Sequence, residues 1–285
     1  NIKRIKPRKT FRRNKLTAED GSEIYTSKCE DLDLVPNDSS RIRFVEQFLK
    51  SIQEKSLRFS GLGLGPKSSK KLIDLIYDKQ QYFLLDLSMN RLQDDGAYHL
   101  AQYIQSDPNI IYLDLRSNAI GIKGSTEIFI GLLYNCHVTS LDYSAIDGID
   151  RNRIGPEGAQ TLAKVLKANK VISYLNISMS GLTADGCKFI GQALTKNTTL
   201  KNLDVSANRF GSVGAISLFT KDNSFGSIES LILSKNLIGD DAMPVIAKQM
   251  EKAQDLRVLD LSFNNLTSNS LKFLESIKLS IEPNE

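Results

Sequence analysis

The chain has 285 residues, 41% of them apolar and 25% charged, which is enough for a sizeable hydrophobic core in one or two domains. No apolar run approaches the roughly 18 residues of a membrane-spanning helix, and no apolar stretch follows the basic N-terminus, so we predict no membrane span and no secretory signal. The three cysteines, Cys29, Cys136 and Cys187, share no metal-like spacing. They fit a reducing, cytoplasmic environment without disulfides or a zinc site.

Residues 1–15 are a basic arm without acidic residues. Its eight basic side chains are Lys3, Arg4, Lys6, Arg8, Lys9, Arg12, Arg13 and Lys15. Without these eight, 29 basic residues face 33 acidic ones, a net charge of −4. We predict a basic N-terminal region over residues 1–28 and a mildly acidic domain over residues 29–285. The arm is either a solvated tail or a binding segment for an acidic surface such as nucleic acid, an acidic protein or tubulin tails. Phe11 is its only aromatic residue, which gives base stacking little support.

A phrase of the form Leu-x-Leu-x-x-Asn recurs along the rest of the chain. One clear copy is Leu85-Asp86-Leu87-Ser88-Met89-Asn90. Further copies begin at Leu113, Leu203, Leu231 and Leu259, and weaker ones at Leu32, Leu57, Leu141 and Leu175. Successive first leucines are 25, 28, 28, 28, 34, 28, 28 and 28 residues apart. This register predicts nine repeat units of about 28 residues.

Each unit predicts one strand followed by one helix. The alternating leucines lie on one face of a strand. A glycine such as Gly96 or Gly124 then opens a stretch with apolar residues at helical spacing, as in Leu100 and Ile104. A parallel strand needs a crossover of a dozen or more residues to reach its neighbour, and the rest of each unit supplies one. Stacked units would share a continuous core.

This pattern resembles the leucine-rich repeat family in its ribonuclease-inhibitor-like subclass, over about residues 29–280. The resemblance implies an α/β fold, a curved solenoid with parallel strands inside and helices outside. It also implies a non-catalytic scaffold for protein–protein interaction. Axonemes use similar repeat proteins, so we predict a structural subunit of a large cytoplasmic or cytoskeletal assembly, with a ciliary axoneme as the specific setting.

An asparagine closes most copies of the motif. These residues are Asn37, Asn90, Asn118, Asn152, Asn208, Asn236 and Asn264. Because an asparagine carries a donor and an acceptor, it can satisfy backbone groups where the chain leaves the strand. We predict a structural ladder. Leu62 and Ser180 occupy this position in two units, where we expect a looser turn.

The residue between the two leucines points away from the core, onto the predicted concave face. These residues are Asp33, Arg58, Asp86, Asp114, Asp142, Asn176, Asp204, Ile232 and Asp260. The aspartates are either polar residues that the repeat commonly carries or an acidic stripe for a basic partner. Candidate apolar contacts lie beside them at Tyr112, Tyr174, Met89, Met179 and Phe263. Such residues are typical of interface anchors, although half-buried packing is the alternative.

One unit carries six extra residues, Ile146-Asp147-Gly148-Ile149-Asp150-Arg151. They lengthen a strand-to-helix turn on one rim, either neutrally or as a partner contact. Two aspartates are too few for a calcium loop.

Three other features resemble catalytic sites without matching one. The segment Gly61-Leu62-Gly63-Leu64-Gly65-Pro66-Lys67-Ser68 is glycine-rich, but Pro66 stands where a phosphate-binding loop needs glycine. His99 and His137 have no suitably spaced nucleophile, carboxylate or metal ligand. We therefore predict no catalytic residue, metal, cofactor or small-molecule substrate.

Two alternative functions remain open. One branch of the subclass activates the GTPase Ran, and Arg91, Arg153 and Arg209 could stabilise charge near the rim. We cannot match a catalytic motif of that branch to them. An immune-sensor fragment is the other alternative, and it would need a nucleotide-binding domain that this sequence lacks.

Overall fold

The computed structural model describes residues 15–77, 81–220 and 225–277, where strands and helices alternate. The strands are β1 (Ile52–Gln53), β2 (Ser56–Arg58), β3 (Leu84–Asp86), β4 (Tyr112–Asp114), β5 (Ser140–Asp142), β6 (Tyr174–Asn176), β7 (Asn202–Asp204), β8 (Ser230–Ile232) and β9 (Val258–Asp260). The helices are α1 (Ala18–Asp31), α2 (Asp38–Lys50), α3 (Pro66–Ile76), α4 (Gln93–Ser106), α5 (Ile122–Tyr134), α6 (Gly155–Ala168), α7 (Ala184–Leu194), α8 (Gly211–Leu218), α9 (Met243–Met250) and α10 (Leu271–Leu274). Short 3-10 turns at Asp240–Ala242 and Ser268–Ser270 precede the last two.

All the strands belong to one sheet, in the order of the sequence. From β2 to β9 they pair in parallel at the repeat register, so Leu57, Leu85 and Leu113 are direct neighbours. The predicted α/β repeat solenoid is confirmed. The prediction of nine parallel strands is wrong, because β1 pairs antiparallel with β2 and only eight strands of the described residues are parallel.

Helices cover one face of the sheet. Leu85 and Leu87 are fully buried on that face, while Asp86 between them is half-buried on the other. Consecutive helices pack side by side, and one hydrophobic core extends through the units. Each fully buried leucine stabilises the fold by about 1.5–3 kcal/mol, so the two strand leucines of each unit explain why the register is specified.

The first predicted unit is wrong. Leu32 caps the C-terminus of α1 and Asp33 lies in the following loop with φ at 57°, so neither belongs to a strand or to the acidic stripe. Asn37 is not in the ladder: it is the N-cap of α2, where its side chain accepts from the Ser40 amide at 2.8 Å. Thr17 explains the difference, because its capping box starts a helix that continues to Asp31. The boundary predicted between residues 28 and 29 lies inside this helix.

The first two helices and β1 cover the N-terminal end of the stack. Phe48 of α2 is buried and stacks on Phe59 with 5.2 Å between ring centroids. Gly21 of α1 approaches the same ring so closely that an added Cβ would lie 2.8 Å from it. These helices therefore form a cap on the repeats.

Candidate functional site

The asparagines at the strand ends form a ladder, which is buried at Asn90, Asn118, Asn152 and Asn236 and half-buried at Asn208 and Asn264. Asn118 donates through Nδ2 to the carbonyls of Leu87 and Leu115 at 2.9 and 3.0 Å, and its Oδ1 accepts from the Leu92 amide at 3.5 Å. One side chain thus bonds its own turn and the preceding unit. Equivalent bonds are made by Asn90, Asn152, Asn208, Asn236 and Asn264. The predicted ladder residues other than Asn37 therefore have this geometry.

Both units without a ladder asparagine keep a bonded turn. Ser180 donates through Oγ to the Ile177 carbonyl at 2.5 Å. At Leu62, the Lys28 ammonium of α1 donates to the main-chain carbonyl at 2.6 Å. Burial lowers the pKa of Lys28. At these two positions, where we expected looser turns, the Ser180 and Lys28 side chains supply a hydrogen bond in place of the missing asparagine.

A second polar ladder, which the Leu-x-Leu-x-x-Asn motif does not predict, lies at the opposite end of the strands. Asn135 donates through Nδ2 to the carbonyls of Ile104 and Asp107 at 2.8 and 3.0 Å, while its Oδ1 accepts from the amides of residues 137 and 138. Asn169 and Asn197 repeat this arrangement one and two units later. The sequence signal was that these asparagines recur at the repeat spacing within three residues of the end of each helix.

The aspartates between the strand leucines each hold the end of their own strand. The amide two residues later donates to Asp86 at 2.9 Å, to Asp114 and Asp142 at 3.1 Å, and to Asp204 and Asp260 at 2.8 Å. Asn176 accepts from the Ser178 amide in the same way at 3.0 Å. A local structural role therefore accounts for an acceptor side chain at these positions.

Arg116 lies next to two of the aspartates between the strand leucines and partly neutralises their charge. Its guanidinium makes a 2.6 Å ion pair with Asp114 and lies 3.7 Å from Asp142. Burial, opposed by bonds from Ser144 and reinforced by the Asp114 charge, raises the pKa of Asp142. Asp86, Asp204 and Asp260 have no ion-pair partner among the described residues.

Tyr112 and Tyr174 lie on the same sheet face as the aspartates. We call this surface, together with the predicted contacts in the turns beside it, the strand face: Asp86, Asp114, Asp142, Asp204, Asp260, Tyr112, Tyr174, Met89, Met179 and Phe263. Tyr112 is 53% exposed and Tyr174 37%. Two strand spacings, about 10 Å, separate these tyrosines. Burial, together with the charges of Asp142 and Asp204, raises the pKa of Tyr174.

The other three apolar side chains occupy the turns after the strands. Met89, Met179 and Phe263 have φ angles of 55°, 52° and 55°, in the left-handed region that costs most residues about 1–2 kcal/mol. Phe263 is 79% exposed, and the Lys235 ammonium lies 5.3 Å from its ring centroid. It belongs to the last unit, five strand spacings or about 24 Å from the β4 tyrosine. The structure therefore groups Tyr112 with Tyr174 but not with Phe263.

The six-residue insertion folds back over the two preceding units. The Ile146 amide donates to Ser117 Oγ at 2.8 Å, and the Asp150 carbonyl accepts from the Ala119 amide at 2.7 Å. The Asp150 carboxylate also accepts from Arg91 Nε at 3.1 Å. The most N-terminal of the three rim arginines is therefore engaged within the chain.

In the glycine-rich segment, the backbone amides that could bind an anion already donate to a carboxylate. Asp31 of α1 accepts from the amides of Lys67 and Ser68 at 2.8 and 2.9 Å, at the N-terminus of α3. A carboxylate from the cap thus occupies the amides that a phosphate would need.

Neither a metal site nor a membrane span is found in the parts of the chain that the structure describes. No group of three histidine, cysteine or acidic side chains there could hold an ion. None of the helices in residues 15–77, 81–220 and 225–277 combines the length and apolar character of a membrane crossing. Of the arm, Lys15 is described and exposed, whereas Lys3, Arg4, Lys6, Arg8, Lys9, Arg12 and Arg13 lie outside the described residues.

Comparison with known proteins agrees with the repeat geometry. The Leucine Rich repeat family model matches residues 84–101, 196–219 and 252–274. Pig ribonuclease inhibitor is 25% identical over 215 residues, which cover 74% of this chain and 46% of the inhibitor. The chain therefore carries leucine-rich repeats and is similar to ribonuclease inhibitors.

Other relatives are much longer than the region they share with this chain. FERM domain-containing protein C of Dictyostelium discoideum is 27% identical over 177 residues, which cover 59% of this chain and 11% of that protein. Protein CARMIL of the same organism is 27% identical over 190 residues, which cover 64% of this chain and 18% of that protein.

A solved structure of leiomodin-1 Actin-Binding Site 2 has a TM-score of 0.43 and 22% identity, covering 53% of this chain and 86% of the other.

Proposed function

We propose that this leucine-rich repeat chain is a non-catalytic adaptor that binds a protein partner on its strand face. The observation that carries the proposal is that exposed Tyr112 and Tyr174 lie beside acidic side chains on the sheet face that helices leave open. Tyrosine buries a large apolar ring while keeping a polar group, which makes it a common interface anchor. The carboxylates without an ion-pair partner among the described residues, those of Asp86, Asp204 and Asp260, would orient a partner with a complementary basic surface.

The proposal extends to the arm and to the setting. The arm over residues 1–15 would contact a separate acidic surface of the same assembly, such as tubulin tails or nucleic acid. We also propose that the chain is a subunit of a cytoplasmic or cytoskeletal assembly, and of the ciliary axoneme in particular. This setting is proposed from the family resemblance. Two contacts on one partner complex would reinforce each other through effective concentration.

The test compares partner binding by the full chain with partner binding by three variants, each measured across a salt series. Replacing both strand-face tyrosines, Tyr112→Ala with Tyr174→Ala, should weaken capture of the partner by about 30-fold or more, as expected for loss of a true anchor. A chain of residues 16–285 should bind more weakly and should lose the salt-dependent part of the affinity, because charge pairs at the surface are screened. A matched helix-face pair, Tyr98→Ala with Tyr134→Ala, should bind normally, since both rings are exposed on the other side.

The reverse pattern would contradict the proposal: a normal strand-face variant together with a defective helix-face variant. If residues 16–285 do not bind at all while the tyrosine variant does, the repeats serve only as a spacer.

A GTPase-activating role is tested separately. It predicts that the chain speeds GTP hydrolysis by a small GTPase and that Arg153→Ala with Arg209→Ala abolishes the effect.

A further inference from the structure

Two arginines lie on either side of a ladder asparagine where the insertion ends. Arg151 is the last inserted residue, and the fully buried Asn152 separates it from Arg153. The Arg153 amide donates to the Ile120 carbonyl at 2.7 Å, and the Arg153 carbonyl accepts from Ser125 Oγ at 2.8 Å. The backbone therefore holds both arginines on the rim, where both are exposed.

Gly148 gives the Arg151 side chain its place. This glycine has a φ of 74°, and a Cβ added to it would lie 2.7 Å from Arg151 Nη2 and 3.0 Å from Nε. The guanidinium thus packs directly against the glycine backbone, where any other residue would displace it. Glycine is also the residue that adopts a positive φ without a steric penalty.

The positive charges of these two arginines are not neutralised by the described part of the chain. Neither forms an ion pair within residues 15–77, 81–220 and 225–277. Asp150, which precedes Arg151, pairs instead with Arg91 at 3.1 Å. At the neighbouring start of α5, the Gly121 amide already donates to Asp94 at 2.7 Å. The groups left to bind an anion here are therefore guanidiniums.

Both arginines line one cavity on the rim, with a volume of about 480 Å³. Ligand pockets commonly measure roughly 300–1,000 Å³, so this one has room for a side chain as well as its terminal anion. The described residues that complete the lining are small or aliphatic, apart from Asp150, and include no aromatic ring. A nucleobase would therefore find no ring to stack on.

We propose that this rim cavity binds a phosphorylated side chain of a partner protein. A phosphate monoester carries a charge close to −2 at about pH 7, which matches two guanidiniums without a partner. Each guanidinium presents its N–H groups as a planar fork that can bond two phosphate oxygens. A carboxylate has one charge and would leave one arginine unneutralised. The cavity lies on the rim, and its assignment is independent of the proposed strand-face contact.

Titration of the full chain with N-acetyl-O-phosphoserine N-methylamide tests the site, followed by NMR at the Gly148 amide and at the Nε–H groups of Arg151 and Arg153. These signals should shift together and saturate. The analogue with glutamate in place of phosphoserine should bind at least about 10-fold more weakly, because it carries less charge. Inorganic phosphate should also bind more weakly, since it leaves most of the cavity empty.

Arginine variants assign the binding to the two guanidiniums. Arg151→Lys and Arg153→Lys should each weaken binding of the phosphoserine probe about 10-fold, because lysine keeps the charge and loses the planar fork. Arg43→Lys, at an exposed position of α2, is the matched control and should bind the probe normally.

A pair of glycine variants tests the placement of Arg151. Gly148→Ala should weaken binding about 10-fold, because the added methyl group displaces the guanidinium. Gly181→Ala is the matched control. Gly181 has a φ of 72°, and its added Cβ would meet no atom of the described residues within 4 Å. The control therefore carries the same backbone strain and should bind as the wild type does.

The proposal would be overturned if the signals of Gly148 and the two arginines do not shift to saturation. Equal binding of the glutamate analogue would overturn it by assigning the cavity to an acidic segment, and equal binding of inorganic phosphate by assigning it to a free anion. Binding that is unchanged in both Arg→Lys variants would also overturn it, because the probe would then bind elsewhere on the chain.

Discussion

A single ladder asparagine joins two units of the stack. Asn118 has no exposed surface and bonds carbonyls of both its own turn and the preceding one. Loss of the side chain removes one of two donors to each carbonyl, because Leu87 and Leu115 also accept from Asn90 and Asn152. It also leaves the buried Leu92 amide without its acceptor. The residue is therefore a structural requirement of the strand exit.

Asn118→Ala should lower the free energy of unfolding by about 1–3 kcal/mol, the usual cost of stranding buried polar groups. Asn236→Ala should behave in the same way, because Asn236 is equally buried. The exposed neighbour of the last ladder residue provides the control, and Asn265→Ala should change stability by less than about 0.5 kcal/mol. Chemical denaturation measures all three. A wild-type midpoint for Asn118→Ala would show that the ladder does not contribute to stability there.

Each strand-face aspartate accepts a structural hydrogen bond and also carries a charge. A substitution at Asp142 can remove the charge while keeping the hydrogen bond. Because burial raises the pKa of its carboxyl, the folded chain takes up this proton at higher pH than the unfolded chain. The ionised group therefore opposes folding, and its cost disappears as pH falls through the folded pKa. Asparagine keeps the acceptor for the Ser144 amide and lacks the charge, as Asn176 already does in the next unit.

We expect Asp142→Asn to be at least as stable as the wild type at about pH 7, with the difference shrinking as the pH is lowered and the wild-type carboxyl is protonated. Asp114→Asn is the matched variant. It should lower the midpoint at about pH 7, because Asp114 makes the short ion pair with Arg116. Thermal unfolding at a series of pH values gives both curves. A destabilised Asp142→Asn with a pH-independent deficit would show that its ion pair outweighs its burial.

Among the elements, α1 depends on close contact with the second helix. Gly21 faces the Phe48 ring, and a methyl group there would meet it at 2.8 Å. Alanine normally favours a helix over glycine by about 0.5–1 kcal/mol, so a destabilising effect would isolate the contact.

Gly21→Ala should destabilise the chain by about 1–3 kcal/mol through overpacking. Thr26→Ala, at an exposed position of the same helix, should be neutral or slightly stabilising. Equilibrium unfolding of the two variants decides between the effects. If Gly21→Ala is the more stable of the two, the cap is packed more loosely than the structure indicates.

The elements that the sequence predicts well are those with a repeated pattern. Each Leu-x-Leu pair buries two side chains on one face, so β2 to β9 follow from alternation and spacing. The N-terminal cap could not be predicted in this way, because Leu32 and Asn37 imitate the motif while Thr17 and Asp20 start a helix across it. The capping box of Thr17 and Asp20 is the sequence signal that predicts the start of α1. The antiparallel β1 has only two residues and leaves no periodic signal.

Site residues are less predictable than elements, for a physical reason. The spacing places the aspartates and tyrosines on one face, but it does not reveal that each aspartate accepts from its own strand end. Nor does it reveal that Arg116 bridges two of them. Contacts between side chains two or three residues apart depend on turn geometry, which the repeat pattern alone does not specify.

On the scale of the whole molecule, the stack has one helix-covered face and one open face. The central claim is that the open face, carrying Tyr112 and its neighbours, holds the partner. Tyr112 and Tyr98 make a matched pair for testing it, because their side chains are 53% and 48% exposed but lie on the strand face and on α4 respectively.

The most direct measurement is site-specific photo-crosslinking with a photoreactive phenylalanine placed at position 112 or at position 98 of the full chain, within the native assembly. The account predicts a crosslinked partner protein from position 112 and little or none from position 98. Efficient crosslinking from position 98 with none from position 112 would contradict it and would assign the helix layer as the binding surface.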